Sequence, residues 1–287
     1  MTPSDDPYYQ VRNAVVEQIN RDRAAAGLSA VEFDPLSSVV ADHHCQEMAA
    51  HRYLSHWNLK GLLPYHRYHF AGGKDHVQEN LSGTTKFSGG REPIGTQPQD
   101  VLPLLMESHH RFMAEKPPLD GHRKTVLTSA HTHVGIGLAV VGEEFRMAEE
   151  FINRYVRLND FPETLPASGS VQVEGEMLRK GFGPYYCVLF YEGQPQPRTV
   201  EQLNRTYAYA DTEGDQCVNI RPWEMRFDSA RGRFRFSVPA NNCGPGSYHL
   251  LLWVRNNIRT IPYELQLGSN SVDTRDAVPA AGWVFKR

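Results

Sequence analysis

Val11, Val15 and Ile19 recur at helical spacing and the run stops at Gly27, which predicts a first helix with Asp6 as its N-cap and Pro7 in its first turn. The same device returns at Asp34-Pro35, where Leu36, Val40, Ala41, His44, Cys45 and Met48 make one apolar stripe on a second helix. Pro64 opens a short helical piece that Gly72-Gly73 closes. The Gly-, Pro- and Thr-rich stretch 83–98 then predicts a long surface loop. Helical spacing resumes over 101–115 through Leu102, Leu105, Met106 and Phe112 and ends at Pro117-Pro118. From Val134 the period changes to two, so 134–141 and 145–158, joined at Gly142-Glu143-Glu144, predict a β-hairpin.

Residues 160–169 combine two prolines with small polar residues and show no periodicity, which is linker composition. Beyond them, strand-like runs occur at 171–174, 186–191, 233–238, 248–255 and 263–267, separated by Gly, Pro and Asn clusters. The expected organisation is a mixed domain at 8–158, a linker at 159–169 and an all-β module at 170–287. Short strands at this spacing suggest an immunoglobulin-like β-sandwich, although the Cys-Trp-Cys signature of antibody domains is not met. Tyr185, Tyr186, Tyr191, Tyr207, Tyr209 and Trp223 would serve this module either as core or as an aromatic binding face.

The chain has 287 residues, 40% hydrophobic and 22% charged, in keeping with two globular domains. A formal charge of -3 without any run of Lys or Arg argues against a nucleic-acid partner. No apolar stretch approaches the roughly 20 residues that span a bilayer, and the first ten residues carry no export-signal pattern. The four cysteines, Cys45, Cys187, Cys217 and Cys243, lack C-x-x-C spacing and allow three full pairings. Cys217 and Cys243 flank strand-like segments, so a bridge between them and free buried thiols are both open.

Six ordered elements of the first half resemble the CAP family, also called SCP or PR-1-like, in its bacterial form. They are Asn20, Arg23 and Gly27-Leu28 followed by Asp34 and Leu36; Ala41, His44, Met48-Ala49 and Tyr53-Leu54-Ser55-His56; Gly61, Pro64 and Arg67; Glu79-Asn80; Gly121-His122-Arg123; and Gly135-Ile136-Gly137. Three departures stand out: Gln78 replaces the usual Gly before Glu-Asn, the tryptophan common before the Gly-His-Arg segment is missing, and an insertion at 114–120 lengthens the approach to His122. The resemblance implies an α+β fold, specifically an α-β-α sandwich, over the first domain. It also implies an extracellular or periplasmic location and association with small molecules, lipids or surface polymers.

It further implies that His56, Glu79 and His122 meet on a cleft floor, with Glu107 as a second glutamate unless Glu149 or Glu150 takes that place. Two imidazoles and a carboxylate suit a divalent metal such as zinc with an open water position. The expected function is therefore ligand or metal binding by a monomer, with metal-dependent hydrolysis in the same cleft as the alternative. Neither H-E-x-x-H nor G-x-S-x-G is present, and Ser55 beside His56 is poorly placed for a serine hydrolase. Of the 13 histidines, His43, His51, His66, His69, His76, His109 and His110 are expected to be solvated or capping residues, and His44 a hydrogen-bonded core residue.

Overall fold

The computed structural model describes residues 6–85, 94–167, 169–240, 244–256 and 276–287. The chain divides into two compact units whose boundaries are not contiguous in sequence. The first comprises residues up to 71, 77–152 and 197–209; the second comprises 72–76, 153–196 and 210–287. Residues 159–169, read as a linker, belong to the second unit. Leu165 is 1% exposed within its core, and its amide donates to the Lys286 carbonyl at 3.0 Å.

The first unit holds helices α1 (Tyr9–Ala25), α2 (Pro35–His51), α3 (Pro64–Phe70), α4 (Pro98–Ala114) and α5 (Gly121–Val126). Its strands are β1 (Glu32–Phe33), β2 (His76–Thr85), β3 (His133–Val141) and β4 (Glu144–Asn153), in the order β1-β3-β4-β2. Residues 134, 136 and 138 of β3 pack with α1 and α4 in one apolar core. Alternate residues of a strand point to opposite faces, so Gly135 and Gly137 face the other way, onto α2. The sheet therefore lies between helices, as the expected α-β-α layering requires.

The two glycines of Gly-Ile-Gly are needed for that contact. A Cβ on Gly137 would sit 2.3 Å from Ala41 Cβ and 2.6 Å from its carbonyl carbon, and one on Gly135 would sit 2.2 Å from Ser37 Oγ. The obstruction includes backbone and cannot rotate away. Gly137→Ala should cost about 1–3 kcal/mol by overpacking. A methyl at Gly121, where nothing lies within 4 Å, should leave stability unchanged or slightly higher. Equal urea midpoints for the two variants would refute this account of the motif.

At the start of α2, Asp34 accepts from the Ser37 amide at 2.7 Å, as an N-cap followed by proline should. Asp6 does not cap α1, which begins at Tyr9 with no side-chain cap. Its carboxylate instead accepts from the Tyr8 amide at 2.9 Å and from Arg12 Nε at 2.8 Å. Arg12 also grips Asp42 of α2 with both terminal nitrogens, and Asp42 accepts the Leu138 amide of β3 at 2.8 Å. A buried guanidinium thus ties α1, α2 and β3 together.

The second unit contains two four-stranded sheets. One runs β5 (Val156–Leu158), β6 (Ser170–Met177), β10 (Arg233–Pro239), β9 (Arg226–Asp228), and the other β12 (Ala277–Lys286), β11 (Ser247–Asn256), β7 (Phe182–Gly193), β8 (Asp215–Ile220). Both sheets contribute to one apolar core, with Val173, Phe234 and Phe236 from the first and Leu189, Leu250 and Phe285 from the second. The expected strand at 263–267 lies outside the described residues, as do Cys243 of the possible bridge and residues 86–93 of the loop expected at 83–98, whose described ends belong in part to β2, which runs to Thr85, and to α4, which starts at Pro98. Cys45 and Cys187 are free, buried thiols, and burial raises the pKa of both. No helix among the described residues is long and apolar enough to cross a membrane.

Candidate functional site

His56 follows the second helix, where Arg52 turns the chain in a left-handed conformation at φ 57°. His56 Nδ1 donates to Glu79 Oε1 of β2 at 2.8 Å. The other oxygen, Oε2, accepts from Arg67 Nη2 at 2.5 Å, so both oxygens of this carboxylate are already engaged. Arg67, on α3, also donates to the carbonyls of His56 at 2.6 Å and Leu62 at 3.0 Å. Burial alone would raise the pKa of Glu79, but Arg67 and then the His56 hydrogen bond outweigh it and bring the value down to about 2. Glu79 is therefore a fixed anion that orients an imidazole.

The second imidazole is held in the same way by a residue that sequence reasoning missed. His122 Nδ1 donates to Glu115 Oε1 at 2.5 Å, and Glu115 Oε2 accepts the His122 amide at 3.0 Å and the Arg123 amide at 3.3 Å. The Phe112 ring stacks on His122 with centroids 4.6 Å apart. Glu115 is the C-cap residue of α4, at the last position of the helical spacing and inside the inserted segment, where its role carries no signal beyond proximity to the Gly-His-Arg segment. Glu107, the expected second glutamate, is exposed on α4 and does not line the cleft.

Glu149 and Glu150, the alternatives, are neighbours on β4 that point to opposite faces, and neither lines the cleft. Glu149 accepts from His109 Nδ1 at 2.7 Å and from Asn80 Nδ2 at 3.3 Å, and His109 Nε2 faces Asp22 at 3.0 Å. Glu150 is buried 3.8 Å from Arg67, and burial together with the Glu79 charge pushes its pKa well up. His109, expected to be solvated, is fully buried in this network, and His66, His69 and His76 are buried as well. His44 conforms to expectation: it is buried, its Nε2 meets the Ser55 carbonyl at 2.8 Å, and desolvation lowers its pKa to about 3.

His56, Glu79, Glu115 and His122 line one cavity of about 530 Å³. A carboxylate can only accept, so each Nδ1 carries a proton, and the nitrogen left to act as a lone-pair donor in each ring is Nε2. One wall comes from 197–209, the segment of the C-terminal half that belongs to this unit. Its helix α6 (Val200–Leu203) is capped by Thr199, which accepts the Gln202 amide. The Arg198 amide donates to the Leu59 carbonyl at 3.0 Å, and Asn204 accepts from the Leu54 amide at 3.2 Å. Tyr209 Oη accepts the Glu79 amide at 2.7 Å, and its ring lies 4.5 Å from that of His56.

Ser55 Oγ shares a 2.7 Å hydrogen bond with Thr206 and accepts the Trp57 amide, which occupies the one serine hydroxyl that lines the cavity among the described residues. Three exposed large hydrophobic side chains, Leu54, Leu119 and Tyr207, stand around the same cavity, giving it an apolar rim over a polar floor. Among the described residues, no group of three or more His, Cys, Asp or Glu side chains is arranged to hold a metal ion. The set His56, Glu79 and His122 is therefore not a ready three-ligand centre, since Arg67 and His56 already use the Glu79 oxygens.

Among curated proteins, none matches the chain significantly. Of solved structures, an extracellular protein containing a SCP domain from Bacillus anthracis is similar with a TM-score of 0.36 and 21% identity, over 54% of this chain and 44% of that one. The chain thus spans less than half the length of that protein. An outer surface protein of Borrelia burgdorferi is similar with a TM-score of 0.38 and 17% identity, over 50% of this chain and 91% of that one. Residues 16–151 match the model of the cysteine-rich secretory protein family, CAP, over a region that runs from the first helix to the end of the hairpin. That stretch of the chain is a CAP domain.

Proposed function

We propose that this is a secreted CAP-domain protein whose cleft binds a small ligand through Nε2 of His56 and His122. The observation that carries the reading is the repeated pairing of an imidazole Nδ1 with a carboxylate, His56 with Glu79 and His122 with Glu115, inside one cavity. Such pairing fixes the tautomer and raises the basicity of the other nitrogen, which is how carboxylates behind metal-bound histidines act. A divalent cation such as zinc suits these two nitrogens, with Glu79 and Glu115 standing behind them as orienting groups. Bound there, it would supply a Lewis acid to whatever completes its coordination. The apolar rim favours a ligand that carries a hydrocarbon portion as well as a donor group. The secretory description of the family supports the extracellular location.

Zinc titration calorimetry on the whole chain tests this. His56→Ala and His122→Ala should each abolish measurable binding, and Glu115→Gln should weaken it by about 10–100-fold while helix content stays unchanged. Equal zinc affinity in wild type and both histidine variants would sink the reading.

A further inference from the structure

On the sheet β5-β6-β10-β9 one face is apolar and the other is charged. Strand β10 alternates strictly, with Phe234, Phe236 and Val238 buried and Arg233, Arg235 and Ser237 exposed. Across the strands, the outward residues form two rows. In one, Arg157 is opposite Glu176, Glu176 opposite Arg233, and Arg233 opposite Asp228. In the other, Glu174 is opposite Arg235, and Arg235 is opposite Arg226. With Arg231 of the adjoining turn, five arginines and three carboxylates line an open depression of about 870 Å³.

The arginines are not consumed by internal pairing. Arg157 bonds Glu176, and Arg231 lies 3.9 Å from Asp228. Arg226, Arg233 and Arg235 form no ion pair among the described residues. Arg226 and Arg235 are moreover directly opposed on neighbouring strands, an arrangement of like charges that destabilises a sheet unless an anion lies between them. Guanidinium forks match carboxylate and sulfate oxygens two at a time. Arg226 and Arg235 sit on strands about 5 Å apart, so both reach one anionic group, while Arg233 lies two residues, about 7 Å, along the strand and reaches a second.

We propose that this face is a binding site for an acidic polysaccharide. Two features select that class among polyanions. Glu174, Glu176 and Asp228, interspersed with the arginines, accept hydrogen bonds from hydroxyl groups, which a sugar chain offers between its anionic groups. None of the outward positions in the two rows is aromatic, so the face lacks the stacking platforms that single-stranded nucleic acids use.

Calorimetry of the full chain with polygalacturonate and with heparin at 50 mM and 300 mM salt tests the site, with neutral dextran and an oligothymidylate of matched charge alongside. Binding of at least one acidic glycan is expected, weaker at the higher salt because the contacts are exposed and screened. The double change R226Q/R235Q should weaken it at least ten-fold and R233Q by less, with melting temperatures equal to or above wild type because a like-charge pair is removed. Absence of binding to both glycans, equal affinity in wild type and the double variant, or equal affinity for dextran would overturn the site. Oligothymidylate bound as tightly as the glycans would overturn the assignment of ligand class.

Discussion

Arg67→Met is expected to remove about 3–5 kcal/mol of stability from the CAP domain at neutral pH, because it leaves buried charge without its partner. Glu79 and Glu150 are both essentially inaccessible, and the Arg67 guanidinium is the cation between them, 2.5 Å from the first and 3.8 Å from the second. The two carboxyl groups depend on pH in opposite senses. The pKa of Glu79 is depressed in the native state, so its contribution is complete above the unfolded value near 4.5 and fades as pH falls towards about 2. That of Glu150 is raised, so it favours the native state below that unfolded value and opposes it increasingly as pH climbs.

Without Arg67 both groups behave like Glu150, and the deficit of the variant should shrink between pH 7 and pH 5. Urea unfolding followed by circular dichroism at 222 nm reads this unit, since every α-helix among the described residues belongs to it. Glu150→Gln in the Arg67→Met background should recover part of the loss by removing one of the opposed carboxylates. A deficit below about 1 kcal/mol at pH 7, or one that grows on acidification, would refute this view of the network.

Arg23→Met should be comparably damaging for a different reason. Arg23 is 0% exposed and its donors satisfy backbone carbonyls: Ser29 at 2.9 Å, Val126 at 2.7 Å, Thr128 at 2.9 Å and His131 at 3.4 Å. Each buried acceptor stranded by the change costs about 1–3 kcal/mol before relaxation, so a total loss of at least about 3 kcal/mol is expected. Arg23→Lys should restore less than half, because one ammonium cannot reach carbonyls on both segments. A midpoint within error of wild type for Arg23→Met would show that water or a local shift replaces the lost donors. Asn20, the partner residue of the motif, exchanges two hydrogen bonds with Val31, so both residues anchor loops and lie outside the cavity lined by His56 and His122.

Helix periodicity and turn chemistry are local properties, and they were legible. The Asp34-Pro35 start of α2 and the strands at 171–174, 186–191 and 233–238 stand where the pattern puts them, and so does the β3-β4 hairpin except that its second strand, expected to run over 145–158, ends at Asn153 while 156–158 pair with β6 in another sheet. The ordered motifs also identified the CAP domain, because each marks a close contact that few residue types allow, as Gly135 and Gly137 do against α2. The buried state of His109 was not legible. It depends on Asp22 and Glu149, which lie 87 and 40 residues away and become its neighbours only after the layers pack.

The cleft divides along the same line. The sequence by itself placed His56, Glu79 and His122 in one domain, and the resemblance of its motifs implied a second carboxylate beside them. Only the tertiary structure decided that this carboxylate is Glu115 and that Glu107 faces solvent. It alone decided that Arg67 occupies Glu79, and that residues 197–209 supply a wall with Tyr209 against His56. The physical reason is range: a period or a cap is set by neighbours within a few residues, whereas these partners are chosen by loop closure over long separations, whose entropy grows only slowly with length and leaves many pairings open until the core selects one.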